Sequence, residues 1–327
     1  MSRRAEAALK EKPSERRAGW LSRSVLRRGL TSLFSDLGHE TASSVLPLFL
    51  ASLGAPAAAL GVIEGVSDAL SSFAKLGARW IGDRVERRKP IVVGGYVLTG
   101  VATGAFGLAT AWPQVLVSRA IGWLGRGVRG PLRDAMLADS VEPEARGRAF
   151  GLERAGDTLG AVLGPATALL LISALTFRLM FLLTIVHGVI AALCFVVLVR
   201  ERSRASIRPR RFGEAIGALP PRFRFFLLAV GLFGAGDFAH TLLILHASQA
   251  LIPSLGPAQA GAVAIGLYTL HNAVCAAANG LGDFISRVVV GGLWTAVSPA
   301  VGFLYGAALS LVGAVLMSRV RQEARIA

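Results

Sequence analysis

Three groups of ionisable residues, each spaced at three- and four-residue steps, are where this sequence could do chemistry. The first comprises Ser32, Asp36, His39, Glu40 and Ser43; the second, Glu64, Asp68, Ser71 and Lys75; the third, Arg119, Gly122, Arg126, Arg129 and Arg133. Steps of this kind put residues on one face of a helix, so the chain presents two acidic faces and one arginine face. Carboxylates and guanidiniums brought together neutralise each other, and each can exchange its partner for a proton or an anion. On this reading Asp36, Glu40, Glu64 and Asp68 are candidate proton carriers. Arg119, Arg126 and Arg129 are candidates to hold an anionic solute or to tune those carboxylates, with His39 beside them and a smaller pair, Asp237 and His240, farther along. The competing use of the same residues is mechanical, as clamps between helices.

The elements that position such residues must be helices in lipid. Of 327 residues, 53% are hydrophobic and only 17% charged, with a mean hydropathy of +0.57; a soluble domain carries about a quarter of its residues charged. A bilayer core of about 30 Å needs about 20 largely apolar residues per helical crossing, and such runs recur, with no charge from Ile91 to Trp112 or from Val288 to Ser318. Lipid cannot satisfy backbone polar groups and the runs lack a two-residue alternation, so helices are expected rather than a barrel. The fold class is therefore an all-α polytopic transmembrane bundle. About ten spans are expected, at roughly 29–53, 57–78, 91–111, 114–137, 148–174, 179–199, 225–249, 258–277, 281–297 and 299–318.

The formal charge of +15 is distributed as a membrane protein would place it. Basic residues bunch in 1–28, in Arg79 to Lys89, in Arg200 to Arg224 and after Arg319, each bunch next to an apolar run. The positive-inside rule accounts for this without a nucleic-acid partner, and puts both termini in the cytoplasm with an even number of spans. The domain plan is a basic segment 1–28, a six-helix half 29–199, a basic linker 200–224, a reduced four-helix half 225–318 and a tail 319–327. The amino terminus is too long and too charged ahead of its first apolar run for a signal peptide. Cys194 and Cys275 lie in apolar runs without ligand-like neighbours, so neither a disulfide nor a metal is expected. No nucleophile or phosphate-cradling loop emerges, so neither enzyme chemistry nor a cofactor is implied. His187 and His271 are expected as hydrogen-bonded packing residues; Arg133 and Lys75, near a cytoplasmic end, as side chains that reach out to the interface. Glu153 and Asp157 are expected to partner Arg129 or Arg133. A faint repeat pairs Asp36-Leu37-Gly38-His39 with Asp237-Phe238-Ala239-His240, and Gly82-Asp83 with Gly282-Asp283, about 200 residues on.

Several of these stretches carry a family resemblance. Gly82-Asp83-Arg84-Val85-Glu86-Arg87-Arg88-Lys89 resembles the basic loop between helices 2 and 3 of the major facilitator superfamily, with Glu86 standing where the family has its later glycine and Arg79 where it has the earlier one. Gly160-Ala161-Val162-Leu163-Gly164-Pro165 is similar to the glycine-proline signature of helix 5 that accompanies exporters and antiporters, although Ala166-Thr167-Ala168 replaces its second glycine pair. Ser35 to Glu40, Arg119 to Gly151 and Leu293 to Val315 resemble a bacterial branch of these permeases.

The resemblance implies a secondary transporter of the bacterial cytoplasmic membrane that moves a small solute by alternating access. Its partners would be the lipid bilayer, that solute and protons. Asp83, Arg84, Arg87, Arg88 and Asp157 would form a cytoplasmic gate, and Gly160, Gly164 and Pro165 a close helix contact. The family's helices 9 and 10 have no counterpart here, which would remove one of four cavity-lining helices. Two further expectations follow: a chain that no longer transports and persists as a membrane interaction module or an inert remnant, or two copies that pair to complete the cavity.

Overall fold

A computed structural model describes residues 23–199, 201, 220, 239–296 and 305. Among them every regular element is helical. Helix α1 is Arg23–Ser52, α2 Ala57–Gly82, α3 Lys89–Gly104 with a 3-10 turn Ala105–Leu108, α4 Trp112–Ala138, α5 Arg146–Leu171 and α6 Phe177–Leu198; a helical stretch α7, Thr241–Ala296, follows. Chain punctuation sets the boundaries. Gly54, with φ of 71°, turns the backbone after α1 in a conformation that costs glycine little. Prolines open α3 and α4 at their first turns, where a missing N–H is no loss. The Thr176 hydroxyl accepts from Leu179 N at the start of α6.

The first six spans expected from hydropathy correspond to α1 through α6 with end shifts of a few residues. The region beyond differs. The break expected near 250–257 narrows to Gly256, with φ 73° and ψ 165°; it is set by a residue that tolerates positive φ and is pushed from helix by the proline that follows. The break expected between 277 and 281 does not exist, because the backbone stays helical to Ala296. Gly282 therefore lies inside a helix whereas Gly82 ends one, and that half of the repeat has no structural counterpart. Asp237, residues 225–238 and the span at 299–318 lie outside the described residues.

The described residues divide into two compact units, meeting between Leu270 and His271. In the second unit His271 and Cys275 touch one turn apart, with Nε2 3.6 Å from Sγ. The first unit holds the bundle. Around it α5 packs on α1, α1 on α6, α6 on α3, α3 on α4 and α4 on α2, while α1 and α4 make few close backbone approaches. Glycines permit the tightest crossings, since a methyl on Gly100 would stand 2.8 Å from the Gly188 backbone between α3 and α6.

Two apolar layers flank the polar middle. One joins Val45, Leu46 and Phe49 of α1 to Leu60, Ile63, Phe106, Met180 and Phe181; the other joins Tyr96, Leu132, Met136 and Phe195. Outward-facing residues are apolar too, with Phe73, Leu108, Leu170 and Val197 exposed. Four described helical segments, Ala57–Gly82, Lys89–Leu108, Phe177–Leu198 and Thr241–Ala278, are long and apolar enough to cross a bilayer by themselves. The three helices not among them, α1, α4 and α5, carry charges that face one another within the bundle.

Candidate functional site

Arginines of α4 span the gap that backbones leave between α1 and α4. Arg126 Nη2 lies 3.2 Å from Asp36 Oδ1, Arg129 Nη2 donates to Ser35 Oγ at 2.7 Å, and Arg133 Nη1 donates to Ser32 Oγ at 3.0 Å. The predicted α1 and α4 faces therefore meet rung by rung. On the other side of α4, Arg119 Nη2 pairs with Glu64 Oε2 of α2 at 2.6 Å. The Thr241 hydroxyl completes that carboxylate's coordination, donating to its other oxygen at 3.1 Å. Asp68 accepts from Trp123 Nε1 at 2.8 Å.

Aromatic rings line this ladder, and reading by charge alone missed them. The Arg119 guanidinium lies 4.1 Å from the Trp123 ring centroid, and the His39 ring, tilted, packs against the same indole with centroids 4.6 Å apart. Arg129 sits over the Tyr96 ring at 4.1 Å; a guanidinium over an aromatic face is held by the ring quadrupole. Trp123 was accessible to sequence reasoning, since it stands four residues after Arg119 and three before Arg126 on the same stripe. Tyr96, Ser35, Thr241 and Tyr268 carry no such signal, because uncharged polar residues are common in apolar runs.

The carboxylates differ in what holds them. Glu40 receives the Tyr268 hydroxyl at 3.4 Å and lies 3.9 Å from His39 Nε2, while His39 Nδ1 is buried without a hydrogen-bond partner. Glu153, buried on α5, reaches Arg133 Nε at 2.8 Å. Asp157 lies 3.7 Å from Arg133 Nη2 and 3.1 Å from Arg154 Nη1. Arg133 is thus the partner of both α5 carboxylates and Arg129 of neither. It is also buried, which corrects the expectation that it reaches out to the interface; three carboxylates gather around it, Asp134 among them at 3.6 Å. Lys75 is exposed.

Gly160 and Gly164 fix the height of the acidic stripe. A methyl on Gly160 would stand 2.9 Å from Asp36 Cβ, and one on Gly164 2.6 Å from Glu40 Cβ. These glycines let α5 press directly against the α1 segment that bears both acids, and the Thr41 hydroxyl donates across the seam to Gly164 O at 3.0 Å. Pro165 is buried in the same seam.

At the end of the bundle carrying the α2–α3 loop, Arg88 is a hub. Its Nε donates to Gly82 O at 2.7 Å, its Nη1 to Asp139 Oδ2 at 3.1 Å, and Asp83 lies 3.9 Å from Nη2. The Glu201 carboxylate accepts from the backbone N–H groups of Arg88 and Lys89, the position where a helix start attracts an anion. Loops after α2, α4 and α6 are therefore tied at one end. Of the other gate candidates, Arg84 stacks on Trp80 at 3.3 Å, Arg87 is exposed, and Asp157 belongs to the Arg133 cluster instead. His240 is an exposed turn residue before α7. His187 Nδ1 bonds to Leu183 O at 3.1 Å and packs on Gly38.

Between α1, α2, α4 and α5 lies a cavity of about 370 Å³, lined by Asp36, Lys75, Arg79, Arg126, Arg129, Gly130, Pro131, Arg133, Asp134, Arg154 and Asp157. Among the described residues no group of His, Cys, Asp and Glu has the arrangement of a metal site.

Membrane-length helices with an apolar exterior and paired charges within define an integral membrane protein of the helical bundle class. The family model of the Major Facilitator Superfamily matches residues 29–246, and the chain belongs to that family. It is 30% identical over 254 residues to an uncharacterized MFS-type transporter of Methanocaldococcus jannaschii, covering 77% of this chain and 63% of the relative. It is 28% identical over 178 residues to a probable 4-methylmuconolactone transporter of Cupriavidus pinatubonensis, covering 51% of this chain and 41% of that one. Among solved structures, a bacterial homolog of the human lysosomal transporter Spinster, in an inward-facing and occupied conformation, superposes with a TM-score of 0.61 at 22% identity, covering 80% of this chain and 60% of that chain. The chain thus spans under two thirds of the length of these proteins.

Proposed function

We propose that this chain is a secondary active transporter that moves a small solute across a bacterial cytoplasmic membrane by alternating access, coupled to protons through Asp36 and Glu40; Glu64, sealed against Arg119 and Thr241, serves as a fastening. The observation that carries the reading is the Asp36–Arg126 pair at 3.2 Å on the cavity wall, with Glu40 one turn along α1. An ionisable pair at membrane depth is costly unless partnered or wetted, and one that borders a cavity can trade its partner. When Asp36 takes a proton, Arg126 loses its counter-charge and the side-chain bridge between α1 and α4 loosens. Movement is cheapest there, because long side chains rather than packed backbones join the two helices.

Family membership supports this reading, and a small organic solute agrees with the name of the Cupriavidus relative. The basic clusters at 79–89 and after residue 200 support cytoplasmic termini by the positive-inside rule. Arg88, with Asp83 and Glu201, would act as the cytoplasmic latch. The test is flux in proteoliposomes, with internal pH followed by a dye as candidate solutes are added. Asp36→Asn and Glu40→Gln should abolish solute-driven proton movement. Unchanged proton movement in both variants would refute the coupling. A folded protein that supports no flux with any solute would favour the membrane interaction module.

A further inference from the structure

We propose that the cavity between α1, α2, α4 and α5 binds a small organic carboxylate, held by Arg126 and Arg129. The inference rests on the transport reading above and names its class of solute. The first argument is charge. Six cationic side chains line the cavity against three carboxylates, and with Glu153 counted behind Arg133 two positive charges remain. Those charges are not spread evenly. Arg133 is surrounded by acids, whereas Arg129 has no carboxylate within ion-pair distance among the described residues.

Arg129 is the sharper observation. It is 4% exposed, so its charge is almost fully removed from water, yet its polar partner is one serine hydroxyl and its stacking partner one ring. Leaving a buried charge without a counter-ion is strongly unfavourable. Neighbouring Arg126 keeps a buried Nη1 without a hydrogen-bond partner. The two guanidiniums are three residues apart on one face of α4 and offer planar forks, the geometry that takes a carboxylate with two parallel hydrogen bonds. A volume of about 370 Å³ sits at the small end of the range for small-molecule sites, roughly 300–1,000 Å³, which favours a compact solute over a lipid or a peptide. Arg119, by contrast, is closed off by Glu64 and takes no part.

Phosphate shares the affinity for guanidinium, whether free or on a lipid headgroup, so the test separates these sources. The full chain in nanodiscs of zwitterionic lipid would be heated at constant ionic strength with a panel of short mono- and dicarboxylates, their amides, or inorganic phosphate. Saturable stabilisation by a carboxylate and not by its amide is expected. Arg126→Gln and Arg129→Lys, each checked for a monodisperse fold, should weaken apparent affinity at least about tenfold, the loss of one charge-assisted hydrogen bond. A panel in which no carboxylate differs from its amide would overturn the proposal. So would stabilisation by phosphate alone, stabilisation that requires anionic lipid, or full affinity in both variants. Because binding is read without a gradient, loss of proton coupling with binding intact would count against the transport mechanism alone. Flux without carboxylate binding would count against this inference alone.

Discussion

Arg119 and Arg126 lie two turns apart on α4, and their surroundings are opposite. Arg119 and Glu64 are 3% and 7% exposed, with Thr241 closing the carboxylate and Trp123 lying under the guanidinium. Arg126 and Asp36 are 30% and 12% exposed at a longer distance, on a cavity wall where nearby Arg129 has no acid. One helix thus carries a sealed pair that fastens α2 to α4 and an open pair that bridges α1 and α4. The lesson is that a charged stripe in a membrane helix does not have one role along its length; what faces each turn decides whether a pair is fastened or exchangeable.

The largest effect should come from breaking the sealed pair. Arg119→Met leaves Glu64 buried and uncompensated, which costs about 3–5 kcal/mol, measured by denaturant unfolding in micelles. Adding Glu64→Gln should recover part of that loss. Next comes the seam that sets the acids. Gly164→Ala forces α5 away from Glu40 and Leu37 and should cost about 1–3 kcal/mol while lowering transport. Ser35→Ala removes the acceptor of Arg129 and should cost about 1–2 kcal/mol by the same unfolding assay. Arg126→Gln should destabilise less than Arg119→Met, because Arg126 is 30% exposed on the cavity wall, and should bring a large loss of flux. Equal destabilisation by Arg119→Met and Arg126→Gln would erase the distinction between the two regions.

Much of this was legible in the sequence because it depends on local rules. Apolar length marked α2, α3 and α6 outright, and α1, α4 and α5 were found between the same polar breaks despite their charges; three- and four-residue steps put Asp36 and Arg126 on their faces. Glycine spacing identified the α5 contact without saying what it holds. What the sequence hid depends on which helices are neighbours. Nothing local says that Ser32 and Ser35 face Arg133 and Arg129. The α5 acids were expected to pair with Arg129 or Arg133, but nothing local says that Arg133 is the one they enclose and bury. The helix that runs on through Gly282 was missed for a different reason. The expected gap held Asn279 and Gly280, residues that favour a break in water, but in an apolar stretch the backbone keeps its hydrogen bonds by staying helical.

The most direct test is water access to the two faces of α4. Gly130 lines the cavity and a methyl there meets nothing within 4 Å, whereas a methyl on Gly122 would press on Ala102 at 3.4 Å in the α3 contact. With Cys194 and Cys275 replaced, Gly130→Cys should react in membrane vesicles with a charged, water-soluble thiol reagent and be protected by a bound solute, while Gly122→Cys should stay unmodified. Equal labelling at both positions, or none at Gly130→Cys, would contradict a wet cavity beside Arg126 and Arg129.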